Sequence, residues 1–238
     1  MEKTYFDGTS FESMGIVVER VHDDLPEMRE EMEANPGAHG SRVNSLTLAP
    51  RTITLECRAF GEKWSDFDAL KDALAAWLVT TDDRRLALRN HPGQHYLAHY
   101  QSIAEGDRRG GTGIGGFEVT FTASDPIRYG ESRAYVLKPG SYQTFEVGGT
   151  ERCDMSVTVR GTSGTTLTLN AGSQTLKVQL PSSSQHTVSL DCTTHVVRVD
   201  GKVSGVTLDS DWPDLSPGRW RVMVSSGTAT FSWTQRYR

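Results

Sequence analysis

The chain has no run of about 18 apolar residues, so no segment reads as a membrane-spanning helix. Its first residues, MEKTYFDGTSF, lack the apolar stretch that a secretory leader needs. These two absences imply a protein made and assembled in a cytoplasm, with no membrane partner. Cysteine is scarce. Cys57, Cys153 and Cys192 are an odd number with no CxxC spacing, which argues against a disulfide framework and a zinc site and for buried free thiols. Neither sign of charge dominates: the formal net charge is -5, far from the basic surface that sequence-specific DNA binding uses.

The 238 residues are long for one domain and suit two of about 110 to 130. With 23 glycines and many threonines and serines, the composition favours strands and turns over helices. Residues 1–130 hold 21 acidic and 14 basic side chains, whereas residues 131–238 hold 9 and 11. That contrast supports two domains.

Along the first domain, Ile16 to Val21 reads as a short strand. The acidic stretch HDDLPEMREEMEANPGAHGS reads as a long exposed loop, with room for one helical turn around Met28 and Met32, bounded by Pro26 and by Pro36-Gly37. Strands resume in NSLTLAPRTITLECRAF, where Ile53, Leu55 and Cys57 alternate with Thr54 and Glu56. One helix is expected in KWSDFDALKDALAAWLVT. Ser65 is its N-cap with Asp68 three residues on, and Phe67, Leu70, Leu74, Trp77 and Leu78 form one apolar face. Leu74 and Trp77 are expected to be buried on the sheet. After it, RRLALRNHPGQHYLAHYQSI gives two strands joined at Pro92-Gly93, and a glycine-rich loop leads into FEVTFTAS. Beyond Arg133, at least seven short alternating strands with no helical pattern read as an antiparallel β-sandwich, with Asp200-Gly201 as a tight hairpin turn.

Candidate chemistry is thin. Gly111, Gly113 and Gly116 match G-x-G-x-x-G, but a polar loop precedes them and a strand follows, so no helix N-terminus is available for a pyrophosphate. Helical spacing of His91, His95 and His99 would suit zinc, yet Pro92-Gly93 breaks any such helix. His95 and His99 then share one face of a strand with no third ligand evident. Asp209, Asp211 and Asp214 cluster near Trp212, as in many sugar sites, but DSDWPDLSPG also reads as a plain loop. Arg108 and Arg109 are an isolated basic pair in a loop. No G-x-S-x-G elbow occurs. The reading is no catalytic residue, no metal site and no cofactor.

Several segments together resemble one family. They are GIVVERV, PGAHGS, RTITLECRAF, the amphipathic helix, HPGQHYLAHY, GGFEVTFTASDPIRYG, and VVRVDG followed by WPDLSPGRWRV and ATFSWTQRYR. Over nearly the whole chain they resemble the distal tail proteins (Dit) of long non-contractile-tailed phages. The clearest pieces are F-x-V-x-F-x-A-x-D-P ending at Pro126 and L-x-P-G at Leu215 to Gly218. One departure is Trp220, where the family often carries Asn. The resemblance implies a mainly β protein with an N-terminal, ring-forming, β-sandwich-like domain with one α-helix (1–130) and a C-terminal galectin-like β-sandwich (131–238). It implies a non-enzymatic homo-hexameric ring at the virion tail tip. Such a ring joins the tail tube protein to a tail-associated lysin or fibre hub and lets DNA pass without specific binding. The loops at 23–42 and 105–116 are longer than a compact domain needs, and exchange between neighbouring subunits would use them. A stand-alone carbohydrate-binding sandwich and a secreted glycosidase fragment are the competing readings. With a domain boundary between Asp125 and Tyr142, limited proteolysis is expected to leave a stable fragment beginning in that window. Cutting only within 150–230 would count against two domains.

Overall fold

The computed structural model describes residues 2–35, 37, 39–59, 67–105 and 116–238. The expected Ser65 cap, Asp66, the side chain of Phe67, Arg108, Arg109, Gly111 and Gly113 lie outside the described residues. The chain divides into two units, residues 1–128 with Arg238, and Tyr129–Tyr237.

The first unit is built from β1 (Tyr5–Phe6), β2 (Thr9–Ser10), β3 (Ile16–His22), β4 (Met28–Ala34), β5 (Ser41–Leu48), β6 (Arg51–Ala59), α1 (Phe67–Leu78), β7 (Arg84–Ala87), β8 (Tyr96–Glu105) and β9 (Gly116–Ala123). Seven of these strands form one antiparallel sheet in the order β2-β1-β7-β8-β9-β6-β3. The register follows the alternation in the sequence. Ile53 pairs with Phe121, Leu55 with Val119 and Cys57 with Phe117, all buried on one face, while Thr54 and Thr120 turn to the other. The two-residue turn between β1 and β2 is Asp7-Gly8, both at positive φ, the conformation that favours Asp-Gly in a tight hairpin.

Helix α1 lays its apolar stripe on this sheet. Leu70, Leu74 and Leu78, one turn apart, are buried, and Trp77 packs against the same core. Four rings interlock beneath it: Phe11 with Trp77 at 4.9 Å, Phe6 with Phe121 at 5.1 Å, Phe6 with Trp77 at 6.2 Å and Phe11 with Phe121 at 6.5 Å. The alanines at 69, 73, 75 and 76 favour the helix at little entropic cost.

The stretch at 23–42 is not a loop with a helical turn. Met28–Ala34 and Ser41–Leu48 pair as a two-stranded antiparallel sheet of their own. The Met28 to Met32 spacing fits a helix and, equally, one face of a strand, and pairing with β5 decides between them. The register shifts between Glu31 and Met32, leaving Asn44 as an unpaired bulge residue.

The second unit contains β10 (Arg128–Leu137, starting at the boundary), β11 (Gln143–Val147), β12 (Met155–Thr162), β13 (Thr166–Ala171), β14 (Gln174–Gln179), β15 (His186–Asp191), β16 (Val196–Val199), β17 (Lys202–Ser204), β18 (Gly218–Val224) and β19 (Thr228–Tyr237). A six-stranded sheet, β10-β19-β12-β15-β16-β17, and a four-stranded sheet, β11-β18-β13-β14, share one core. Phe145 of one sheet stacks on Trp233 of the other at 4.8 Å. Asp200-Gly201 joins β16 to β17 with both residues at positive φ. The expected strands are present, and β10, β11 and β17 join them.

Because Leu74 is 3% exposed beneath α1, Leu74→Ala is expected to destabilise the first unit by about 2–5 kcal/mol through the cavity it leaves. Chemical denaturation measures this, and a change near zero would mean that the helix face is not held by the sheet.

Candidate functional site

The hairpin β4–β5 is the feature of the first unit with no packing of its own. Every residue of β4 is exposed, as are six of the eight in β5. Its two faces differ. Cross-strand pairs Met28↔Leu48, Glu30↔Leu46 and Met32↔Val43 place four methionine, valine and leucine side chains plus Leu48 on one face. Met28, Met32, Val43 and Leu46 are 45–56% exposed. The opposite face carries Arg29, Glu31, Glu33, Ser45 and Thr47, linked across the strands. Arg29 Nε donates to Thr47 Oγ1 at 3.3 Å, and Ser45 Oγ to Glu31 Oε2 at 3.0 Å. A two-stranded ribbon that buries neither face is marginal alone in water. One that keeps a contiguous apolar stripe has the character of a surface awaiting a partner.

The residues singled out for chemistry do not converge. His99 Nδ1 lies 2.7 Å from Asp83 Oδ1, and His91 turns toward Asp23 in a separate cluster. No group of three or more metal-ligating side chains gathers among the described residues. Asp209 pairs with Lys177 and accepts from Thr207, while Asp214 pairs with Arg152. The Lys177 contact brings the Asp209 carboxyl down to about 2, so it stays ionised at neutral pH and holds no proton to donate as a general acid. Trp212 stacks on His195 at 4.8 Å. Cys57, Cys153 and Cys192 are buried free thiols, and burial pushes Cys192 up to about 12.

One arrangement escaped sequence reasoning. His186 Nδ1 meets Asp200 Oδ2 at 2.6 Å, and its Nε2 meets Ser182 Oγ at 3.0 Å and Ser184 Oγ at 3.3 Å. The connectivity is that of a nucleophilic triad, but no local motif marks it. The neighbouring amides that an oxyanion would need are engaged: Thr187 N–H donates to Asp200 Oδ1 and Ser184 N–H to Ser182 Oγ. The cluster ties the 181–185 loop to the turn after β16.

A family model described as a phage tail protein RIFT-related domain matches residues 6–123. A second, described as the C-terminal domain of a siphovirus-type tail component, matches residues 148–237. The chain belongs to the siphophage distal tail protein family. Among solved structures, it is similar to one described as the SPP1 Dit protein, a paradigm of hub adsorption apparatus in Gram-positive-infecting phages. Identity is 18% over 100% of both chains, with a TM-score of 0.80, which shows a shared fold. A structure of the phage P2 baseplate in its activated conformation with Ca covers 90% of both chains at 9% identity, with a TM-score of 0.38, too low to argue from. No curated protein matches the chain.

In this tail protein the hairpin is held at its base by a buried polar cluster. Asp23, on the segment entering β4, has a side chain 1% exposed, and Arg51, just after β5, is 4% exposed. Arg51 Nη1 lies 3.3 Å from Asp23 Oδ1. The Tyr96 hydroxyl donates to both Asp23 oxygens, at 2.9 and 3.0 Å, and accepts from Arg51. Asp23 Oδ2 also lies 3.0 Å from His91 Nε2 and 3.6 Å from Arg128 Nη1. Burial, then the Arg128 guanidinium, push the His91 pKa below its ordinary value, so the ring stays neutral and accepts from Arg128 at 2.5 Å. Below the clamp, Ala49 N–H donates to Glu27 O at 2.8 Å and starts the ladder. Asp23→Ala would leave the Arg51 charge buried without its partner. A loss of about 3–5 kcal/mol is expected in chemical denaturation, against about 1 kcal/mol for Tyr96→Phe. Equal, small effects would show that the pair does not hold the hairpin base.

Proposed function

We propose that this chain is the subunit of a closed six-membered ring at the distal end of a long non-contractile phage tail. The ring joins the tail tube protein to the tail-associated lysin or fibre hub, and DNA passes through its opening. The observation that carries the reading is the unburied apolar face of β4–β5 in a chain of the distal tail family. A ring subunit needs two unlike patches that serve every neighbour in turn, and an arm of this kind supplies one of them. The number six rests on the family resemblance. The ring contacts come from the first unit, and the second adds a further rigid sandwich.

A passage for DNA works best without a basic lining, since phosphates bind such surfaces by releasing counterions. Asp24, Glu27, Glu31 and Glu33 keep the hairpin region exposed and acidic. Asp23 is excluded from that role because it is buried and paired. The protein acts without catalysis. Its acidic loop is held by Lys177 and Arg152, and replacing Asp209, Asp211 and Asp214 together by Asn is expected to leave assembly intact. A glycosidase activity of the purified chain that disappears in this triple variant would overturn the structural role.

The assembly is tested on the full chain by native mass spectrometry and negative-stain microscopy. Expected are particles of six times 26.2 kDa with an open centre. A monomer at every concentration up to about 100 μM, a range in which specific oligomers form, would overturn the ring.

A further inference from the structure

The first unit also carries a surface that matches the hairpin. At the β1–β7–β8 end of the seven-stranded sheet, Phe6, Leu86, Tyr96 and Ala98 turn into the core. The alternate residues Tyr5, Arg85, Ala87 and Leu97 turn outward. The ladder sets them side by side, Tyr5 opposite Ala87 and Arg85 opposite Leu97. Tyr5 and Leu97 are among the exposed large apolar side chains, and Arg85 is exposed with no side-chain partner among the described residues. Beside this patch opens a cavity of about 310 Å³, lined by the apolar Tyr5, Ala87, Leu88 and Pro92 and also by Glu2, Lys3, His91 and Gln94. The surface is therefore indented and apolar in part, and its exposed cations, Arg85 and Lys3, have no side-chain partner among the described residues.

The hairpin face is its counterpart. It is apolar, it protrudes, and its single charge is Glu30, which likewise has no side-chain partner among the described residues. We propose that the apolar face of β4–β5 in one copy of this chain lies on the Tyr5–Arg85–Leu97 surface of the next copy, with Glu30 facing Arg85 and a hairpin methionine entering the adjoining cavity. The unbranched thioether of Met28 or Met32 suits an irregular hole. The alternative, two hairpins packing face to face, sets Glu30 beside Glu30 in an apolar contact and is disfavoured by like-charge repulsion. Because the two patches are unlike and lie on one unit, each copy offers a donor arm and an acceptor surface, and the contact repeats until it closes. The inference rests on the ring reading and adds the identity of the two contacting surfaces.

Two measurements on the full chain test it. In the first, Glu30→Arg and Arg85→Glu are made singly and together, and assembly is followed by native mass spectrometry across a dilution series. Each single variant is expected to raise the half-assembly concentration roughly tenfold or more, and the double variant to return it to within about threefold of the parent, as a directly facing charge pair requires. In the second, Met32→Cys and Leu97→Cys are combined and oxidised, the three native thiols being buried. A ladder of covalent multimers is expected from the double variant. An equimolar mixture of the two single variants should give dimers that contain one of each. Covalent dimers from Met32→Cys alone would indicate face-to-face hairpins and overturn the proposal. Rings of six that form with no rescue in the double charge variant and no cross-link would overturn it while leaving the ring intact. A chain that stays monomeric in the parent and in every variant would overturn both.

Discussion

The structure of the first unit turns on a buried carboxylate. Asp23 sits where the chain leaves β3 for the hairpin, Arg51 where it returns to β6, and the two meet out of water with Tyr96 bridging them. A buried ion pair is a weak source of stability, since desolvation of both charges offsets most of their attraction. Its value here is geometric. Two legs of chain, with Pro26 on one and Pro50 on the other, are pinned within an ion-pair distance, so an exposed ribbon leaves the unit at a fixed point. Without that anchor, a hairpin with no buried face would have little to hold its direction.

The second unit spends its polar groups in a related way. Lys177 with Asp209, Arg152 with Asp214, and His186 with Asp200 and two serines each resemble fragments of reactive sites. Lys177 ties the 209 loop to β14, His186 ties the turn after β16 to β15, and Arg152 joins two connecting segments. Backbone amides close the circuit around Asp200 and Ser182, so the hydrogen-bonding capacity that a substrate would need is used internally. A sandwich held this way presents rigid surfaces, which is what an assembly component requires.

Much of this was readable from the chain. The alternation at Ile53, Leu55 and Cys57 and at Phe117, Val119 and Phe121 announces two core strands, because burial on one face forces period two. The leucines of α1 and the Asp200-Gly201 turn are equally local signals. The hairpin is not legible locally because Met, Glu, Arg and Ala are good helix formers, and Met28 and Met32 satisfy helical and strand periods at once. What decides is pairing with β5, a contact that no local window contains. Asp23 was invisible for a similar reason. It lies in an acidic run that reads as solvated, and its partners stand 28 and 73 residues away. The Ser182, His186 and Asp200 cluster is a product of the fold, assembled by a loop, a strand and a turn with no sequence signature.

An arm with one apolar face and two unpaired edges is a hazard as well as a tool. Exposed strand edges recruit other strands, and apolar stripes recruit each other. The sequence limits both. Asn44 bulges out of β5 and breaks the edge, as bulges do in sheets that stay monomeric. Arg29, Glu31, Glu33 and Arg42 charge the back face, so stacking of hairpins there would have to take two charges of each sign out of water. Glu30 is the more telling residue. In the middle of the apolar stripe it weakens any contact that is merely greasy and any contact with a second identical stripe. It penalises least a surface that offers a cation in the right place. A single carboxylate thus turns a sticky ribbon into a selective one, and selectivity between unlike patches is the property that separates a closing ring from an aggregate.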